Sequence, residues 1–190
     1  MQLLRRLFGT TEADPRESLR PLYNQLVAHA RQPHWYLDGG IPDSVNGRFE
    51  MVATMFALVL LRLEQESDSG REMALLTEIF VADMDAQLRE IGVGDMIVGK
   101  RVGKLVGAFG GRLGVYRDAL TDVETDRLAE TLQRNLYGDV VPDGRQISHV
   151  AAGVRAIWEK LGAADAARSR RGRAGQGDGH RGCEALHELP

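Results

Sequence analysis

The chain has a single cysteine, Cys183, so no disulfide can form within it and no cysteine-rich zinc module can be built. Redox chemistry that needs a resolving thiol on the same chain is excluded with it. Long apolar runs are equally scarce. The longest, Met51 to Leu61, is broken only by Thr54 and falls well short of the ~20 residues that span a bilayer, so no transmembrane helix is encoded. An excess of either charge is missing too. Lys and Arg number 24 against 27 Asp and Glu, a net of −3, which excludes a basic nucleic-acid-binding chain and an acidic disordered one alike. There is no GxxxxGK[ST], no GxGxxG after a strand, no GxSxG elbow and no HExxH, so nucleotide-dependent, hydrolase and zinc-protease chemistry has no residues to carry it. The opening MQLLRRLFG sets Arg5 and Arg6 inside its apolar stretch and offers no small-residue cleavage site. It is not a secretory signal, and the chain is expected to stay where it is made.

What remains is an ordinary globular composition, 43% hydrophobic and 27% charged, over 190 residues. At about 150 residues per domain, that length predicts one domain and an appendage. Apolar spacing is helical almost throughout, and no stretch keeps a period of two between hairpin turns. The fold class is therefore all-α, a single compact multi-helix domain over 1–162. Asp14, Pro15 and Glu17 form a cap, with Pro21 as an alternative start, for a helix to about Arg31 with the stripe Leu19, Leu22, Tyr23, Leu26, Val27 and Ala30. QPHWYLDGGIPDSVNG, from Gln32 to Gly47, is a loop held by Trp35 and Tyr36. Asp43 or Ser44 then caps a central helix to about Glu66, apolar on all sides through MVATMFALVLL. The next helix covers about Arg71 to Ile91, and a glycine-rich helical segment follows from Asp95 to Leu120. Thr121 and Glu124 make a capping box for a helix through Leu136 that Gly138 ends, and a last helix starts at Ser148 or just before it. From 163 on there is almost nothing to bury, which predicts a disordered Arg/Gly-rich tail over 163–190.

No catalytic constellation emerges. Asp83, Asp85 and Glu90 are acidic neighbours, but a spacing of two sends the first two side chains to different sides of a helix, where they cannot share one proton or one ion. They form a solvated or partner-facing surface. His29, His34, His149, His180 and His187 read as lone polar residues. His180, Cys183 and His187 cluster without a fourth ligand, so no metal site is predicted. No haem-ligand signature is visible, so no bound cofactor is expected and the protein is not an enzyme.

The informative segment is the glycine-rich one, where Gly99, Gly103, Gly107 and Gly111 recur every four residues and make one smooth stripe on a helix. Lys100, Arg101, Lys104 and Arg112 stand beside it, and Asp83, Asp85, Glu90 and Asp95 precede it. One reading is close internal packing with a charged rim. The other is a groove for a foreign apolar helix, with the basic residues reaching a negatively charged partner or membrane surface. On the second reading the partner-binding set is Asp83, Asp85, Glu90, Asp95, Gly99, Lys100, Arg101, Gly103, Lys104, Gly107, Gly111 and Tyr116. At the N-terminus, Leu3, Leu4, Leu7 and Phe8 oppose Arg5 and Arg6, a pattern that suits packing on the domain or lying on an anionic membrane.

ARQPHWYLDGGIPDSVNGRFEM (Ala30 to Met51), FVADMDAQLREIGVGDMIVGKRVGKL (Phe80 to Leu105) and AFGGRLGVY (Ala108 to Tyr116), in that order and spacing, resemble the ubiquinol-cytochrome c chaperone family. The resemblance covers about Leu3 to Leu161, and its most specific strings run from Pro42 to Phe49 and from Asp83 to Asp95. It implies a non-enzymatic assembly factor for the cytochrome b subunit of ubiquinol-cytochrome c reductase, respiratory complex III. Mitochondrial relatives bind newly made cytochrome b, work with a small partner protein and associate with the ribosome near its exit. An Arg-rich, acid-poor leader is lacking, so the chain looks like a bacterial member acting at the cytoplasmic face of the inner membrane.

Two departures accompany the resemblance. Gly110 stands where the AFxGR string has a larger residue, which predicts looser local packing, and the Arg/Gly tail after Leu161 matches nothing in the family pattern. A competing class is a helical adaptor, or a ribosome- or RNA-associated protein, using Arg168, Arg170, Arg171, Arg173 and Arg181, opposed over that stretch only by Asp178.

Overall fold

A computed structural model describes residues 14–90, 95–122 and 126–174, with side chains for all of these except 95–102, 104–106, 108 and 164–174. Asp14 accepts the Arg16 backbone N–H at 2.9 Å and starts a 3₁₀ turn over Pro15–Ser18. Glu17 pairs with Arg20 instead of reaching back to the cap, so the expected capping box does not form. The chain restarts as α1, Arg20–Ala30, with Pro21 in its first turn, where a missing N–H is harmless. Leu22, Tyr23, Leu26 and Ala30 are buried, as the stripe requires.

The stretch expected to be a loop from Gln32 to Gly47 contains a short helix, α2, Pro33–Leu37. Pro33 stands at the first position of this helix, where its fixed φ favours a start. Ser44 accepts the Gly47 N–H at 3.1 Å and caps α3, Val45–Leu63, while Asp43 pairs with Arg48 at 2.5 Å. Every residue from Glu50 to Leu61 is buried, so α3 is the axis around which the bundle packs. It ends at Leu63, before the expected Glu66.

Helix α4, Gly70–Glu90, buries Leu76, Ile79, Phe80 and Met84. Helix α5, Asp95–Thr121, is continuous despite its glycines, each of which costs ~1 kcal/mol relative to alanine. Burial on its inner side offsets that cost. Phe109 joins Phe56 of α3 and Phe80 of α4 in a cluster with ring centroids 4.3, 5.1 and 5.7 Å apart, and Tyr116, Ala119 and Leu120 are buried beyond it. Each large side chain buried this way contributes roughly 1.5–3 kcal/mol.

Thr121 does not cap the next helix. It closes α5, its hydroxyl donating to the Arg117 and Asp118 carbonyls at 3.0 Å, and Glu124 lies outside the described residues. Helix α6, Arg127–Leu136, ends at Gly138, whose φ of +58° is the left-handed conformation that glycine accepts freely. Helix α7, Gly144–Ala174, begins before Ser148 because Asp143 accepts the N–H groups of Arg145 and Gln146 at 2.8 and 2.9 Å. It also passes the expected boundary at 162. AADAARSRRGRA is rich in strong helix formers, so helical structure continues through Ala174 although the apolar stripe stops at Leu161. Arg62 locks α3 to α7, donating to the Trp158 carbonyl at 2.6 Å and stacking 3.5 Å over its ring. Among the described residues there is no strand, and no helix is long and apolar enough to cross a membrane.

Candidate functional site

Asp83 and Asp85 do diverge, and they do different things. Asp83 Oδ2 accepts the Tyr23 hydroxyl at 2.7 Å and the Gln87 amide at 2.8 Å, tying α4 to α1. Burial, with the carboxylate beside it, raises the Tyr23 phenol above its ordinary pKa and keeps it a donor. Asp83, half-buried, is thus committed to this tie as well as lying on the acidic side of α4. Asp85 pairs with Arg89 one turn on at 2.6 Å, near the surface. Glu90 is exposed at the end of α4. Asp95 begins α5, and its side chain lies outside those described.

Along α5, Gly103, Gly107 and Gly111 are exposed, and a β-carbon built on any of them meets nothing within 4 Å. Among the described residues none packs closely against these positions, which is the opposite of the first reading of the stripe. The open face also holds Gly110 and runs on to Val115, 44% exposed. A larger residue at Gly110 would project into the same space, so glycine there does not loosen the core as expected. Gly99, Lys100, Arg101 and Lys104 lie on the same helix, with side chains outside those described.

Two residues expected at the groove are turned inward. Arg112 donates through both Nη atoms to the buried Glu50 carboxylate, at 3.0 Å for Nη2 to Oε1. Tyr116 is buried and hydrogen-bonds Thr54 Oγ1 at 2.9 Å, and Thr54 in turn donates to the Glu50 carbonyl at 2.9 Å. Burial pushes the Tyr116 phenol above its ordinary pKa. It belongs to the core and leaves the partner-binding set.

A second arrangement, on which sequence spacing was silent, joins α2 to α7. Trp35 Nε1 donates to the His29 carbonyl at 2.8 Å, Tyr36 to the Ala30 carbonyl at 2.7 Å, and Tyr137 to the Gly39 carbonyl at 2.5 Å. Burial, and Asp143 after it, pushes Tyr137 up to about 12. His34 Nε2 lies 3.0 Å from Gln32 Oε1 and its Nδ1 lies 2.9 Å from His149 Nε2. The amide oxygen only accepts, so His34 carries its proton on Nε2, and His149 donates to Nδ1. Burial first, then His149, lowers the His34 pKa.

These two histidines are therefore a pair and not lone polar residues. A cavity of about 130 Å³ opens beside them, lined among others by His29, Trp35, Ile157 and Lys160. Among the described residues no three His, Cys, Asp or Glu side chains are placed to hold a metal ion. His180, Cys183 and His187, and the N-terminal Leu3, Leu4, Leu7 and Phe8, lie outside the described residues.

The chain matches the model of the family described as Ubiquinol-cytochrome C chaperone over residues 37–175. The match starts after the resemblance read from Leu3 and reaches past Leu161, so the Arg-rich start of the expected tail falls inside the family span. The crystal structure of the Cbp3 homolog from Brucella abortus is similar at a TM-score of 0.68 and 33% identity, covering 84% of this chain and 86% of that one. No curated protein matches the chain. On sequence and on fold together, the chain belongs to the ubiquinol-cytochrome c chaperone family and is a non-enzymatic assembly factor.

Proposed function

We propose that the protein binds newly made cytochrome b and holds it for assembly into ubiquinol-cytochrome c reductase, working at the cytoplasmic face of the inner membrane. The observation that carries this reading is the family match over residues 37–175. The open face of α5 supports it. Small residues at Gly103, Gly107 and Gly111 let a second helix approach closely, and Val115 adds exposed apolar surface at one end. We assign this face to an apolar helix of the client. Gly99 continues the stripe, and we assign its polar flank to Asp85 and Glu90 at the end of α4 with Asp95, Lys100, Arg101 and Lys104 in the sequence of α5. Charged flanks of this kind orient a client and keep release possible. A small partner protein and the ribosome belong to the same reading as further contacts.

Affinity capture of the tagged protein from gently solubilised membranes, with immunodetection of cytochrome b and a b-type haem spectrum of a deletion strain, tests the proposal. Enrichment of cytochrome b together with its loss on deletion is the expected result. Normal cytochrome b levels on deletion and no enrichment would overturn it. A small protein and ribosomal proteins in the same eluate would extend the partner set.

A further inference from the structure

The end of the bundle where α3 and α7 begin and α6 finishes exposes large apolar side chains. Leu37 is 79%, Val45 63%, Val140 50% and Val141 80% exposed. Leu37 ends α2 and Val45 begins α3, on either side of one connection, while Val140 and Val141 lie on the connection from α6 to α7, and the two connections are fixed to one another. Tyr137 donates to the Gly39 carbonyl at 2.5 Å, Gly40 lies against the Gln146 side chain, and Gln146 Oε1 accepts the Asp143 N–H at 2.9 Å. Single exposed aliphatic residues are commonplace, but several presented together from pinned backbone mark a contact surface.

The charge beside them narrows what that contact is. Asp38, Asp43, Asp139 and Asp143 stand on these connections against Arg48 and Arg145. Arg48 is committed to Asp43, with contacts of 2.5 and 3.1 Å, and lies over the Tyr36 ring. The surplus is negative, which repels an anionic lipid surface and attracts an apolar segment carrying Lys or Arg. The cytoplasmic ends of membrane helices have that composition, since positive residues concentrate on that side.

We infer that this end of the bundle docks the Lys/Arg-bearing cytoplasmic end of a newly made membrane helix. The inference rests on the client reading above and adds a second contact, apart from the glycine face of α5. Leu37, Val45, Val140 and Val141 cover the apolar part, and Asp38 and Asp139 face the basic end.

The test uses the full chain and a synthetic oligo-leucine helix with a Lys-Arg-Lys end in neutral detergent micelles, beside the same peptide ending in Glu. The basic peptide is expected to bind more tightly. Leu37→Ser with Val141→Ser should weaken it by roughly tenfold, and Asp38→Asn with Asp139→Asn by about threefold with a flatter salt dependence. All four positions are exposed, so the melting midpoint should stay put and any loss is one of contact. Equal binding of the two peptides, or unchanged affinity in the Leu37→Ser/Val141→Ser protein, overturns the inference. So does flotation with anionic vesicles that this double variant abolishes, because the surface would then be a lipid contact. If the double variant captures cytochrome b as the unaltered chain does, this surface fails and the proposed function stands. If the unaltered chain captures none, the function fails whatever the peptide does.

Discussion

On α7 a β-carbon at Gly153 would sit 2.6 Å from the Trp35 ring, and on α3 one at Gly47 would sit 2.0 Å from the Pro42 carbonyl oxygen. On α5 a β-carbon at Gly103, Gly107, Gly110 or Gly111 would touch nothing within 4 Å. In the first region glycine admits a buried indole and a returning loop, and the fold needs the missing side chain. In the second the glycines cost helix stability at positions where no described residue packs against them, and it is burial on the other side of α5 that offsets the cost. Spacing alone does not separate the two kinds. What separates them is whether another element lies across the helix.

The largest expected effect comes from the inner side of the open helix. Replacing Arg112 by Leu leaves the Glu50 carboxylate buried without its partner, a change that costs about 3 kcal/mol in such settings. Urea unfolding of Arg112→Leu beside Glu50→Gln/Arg112→Leu reads it, and the double variant should recover part of the loss. A loss below about 0.5 kcal/mol would mean that α5 is not anchored through this pair and that the open face is simply a loosely held helix.

The contrast between the two regions can be sharpened with one substitution made in each. Gly153→Ala gains helix propensity but pushes a methyl group into Trp35, which is buried and held by its hydrogen bond to the His29 carbonyl, so a net loss of about 1–2 kcal/mol is expected. Gly103→Ala with Gly107→Ala should stabilise by roughly 1 kcal/mol per site, because propensity is gained and nothing is met. Opposite signs in the same unfolding assay confirm the contrast, and equal signs remove it. Gly103→Leu with Gly107→Leu then separates fold from function. The structure should hold while cytochrome b capture falls, and unchanged capture would show that the client lies elsewhere.

Part of this was legible in the residues. Gly107 and Gly111 lie two positions either side of Phe109, about 200° around the helix, so the glycine stripe is opposite the apolar one. By the same spacing Arg112 is three residues from Phe109 and four from Tyr116, which turns it inward with them, and that signal was open to reading. The central helix through MVATMFALVLL was plain from its composition. The start of α2 was not, because Pro33 begins a helix as readily as it ends one. The His34 to His149 contact links residues 115 apart in the chain, and no local pattern encodes it.

The closely fitted region should also respond to pH, with the smallest effect of the set. His34 faces His149 and His29, which disfavour a proton on it, and Asp38, which favours one, and burial decides the balance. Its folded pKa lies below the ordinary 6.5. The unfolded chain therefore binds this proton first, so the stability that the neutral ring contributes is present above 6.5 and is lost as pH falls toward the folded value. Protonation of His34 at Nδ1 also removes the acceptor that the His149 Nε2–H requires. Melting followed through Trp35 emission in a Trp158→Phe background should show a lower midpoint near pH 5.5 than near 7.5, with part of that slope removed by His34→Gln. Carboxylates elsewhere contribute to both proteins alike, so the difference in slope isolates the imidazole. Identical slopes would mean that the α2–α7 contact rests on Trp35, Gly39 and Gly153 alone, and the closely fitted region would then owe its seating to packing without any help from the histidine pair.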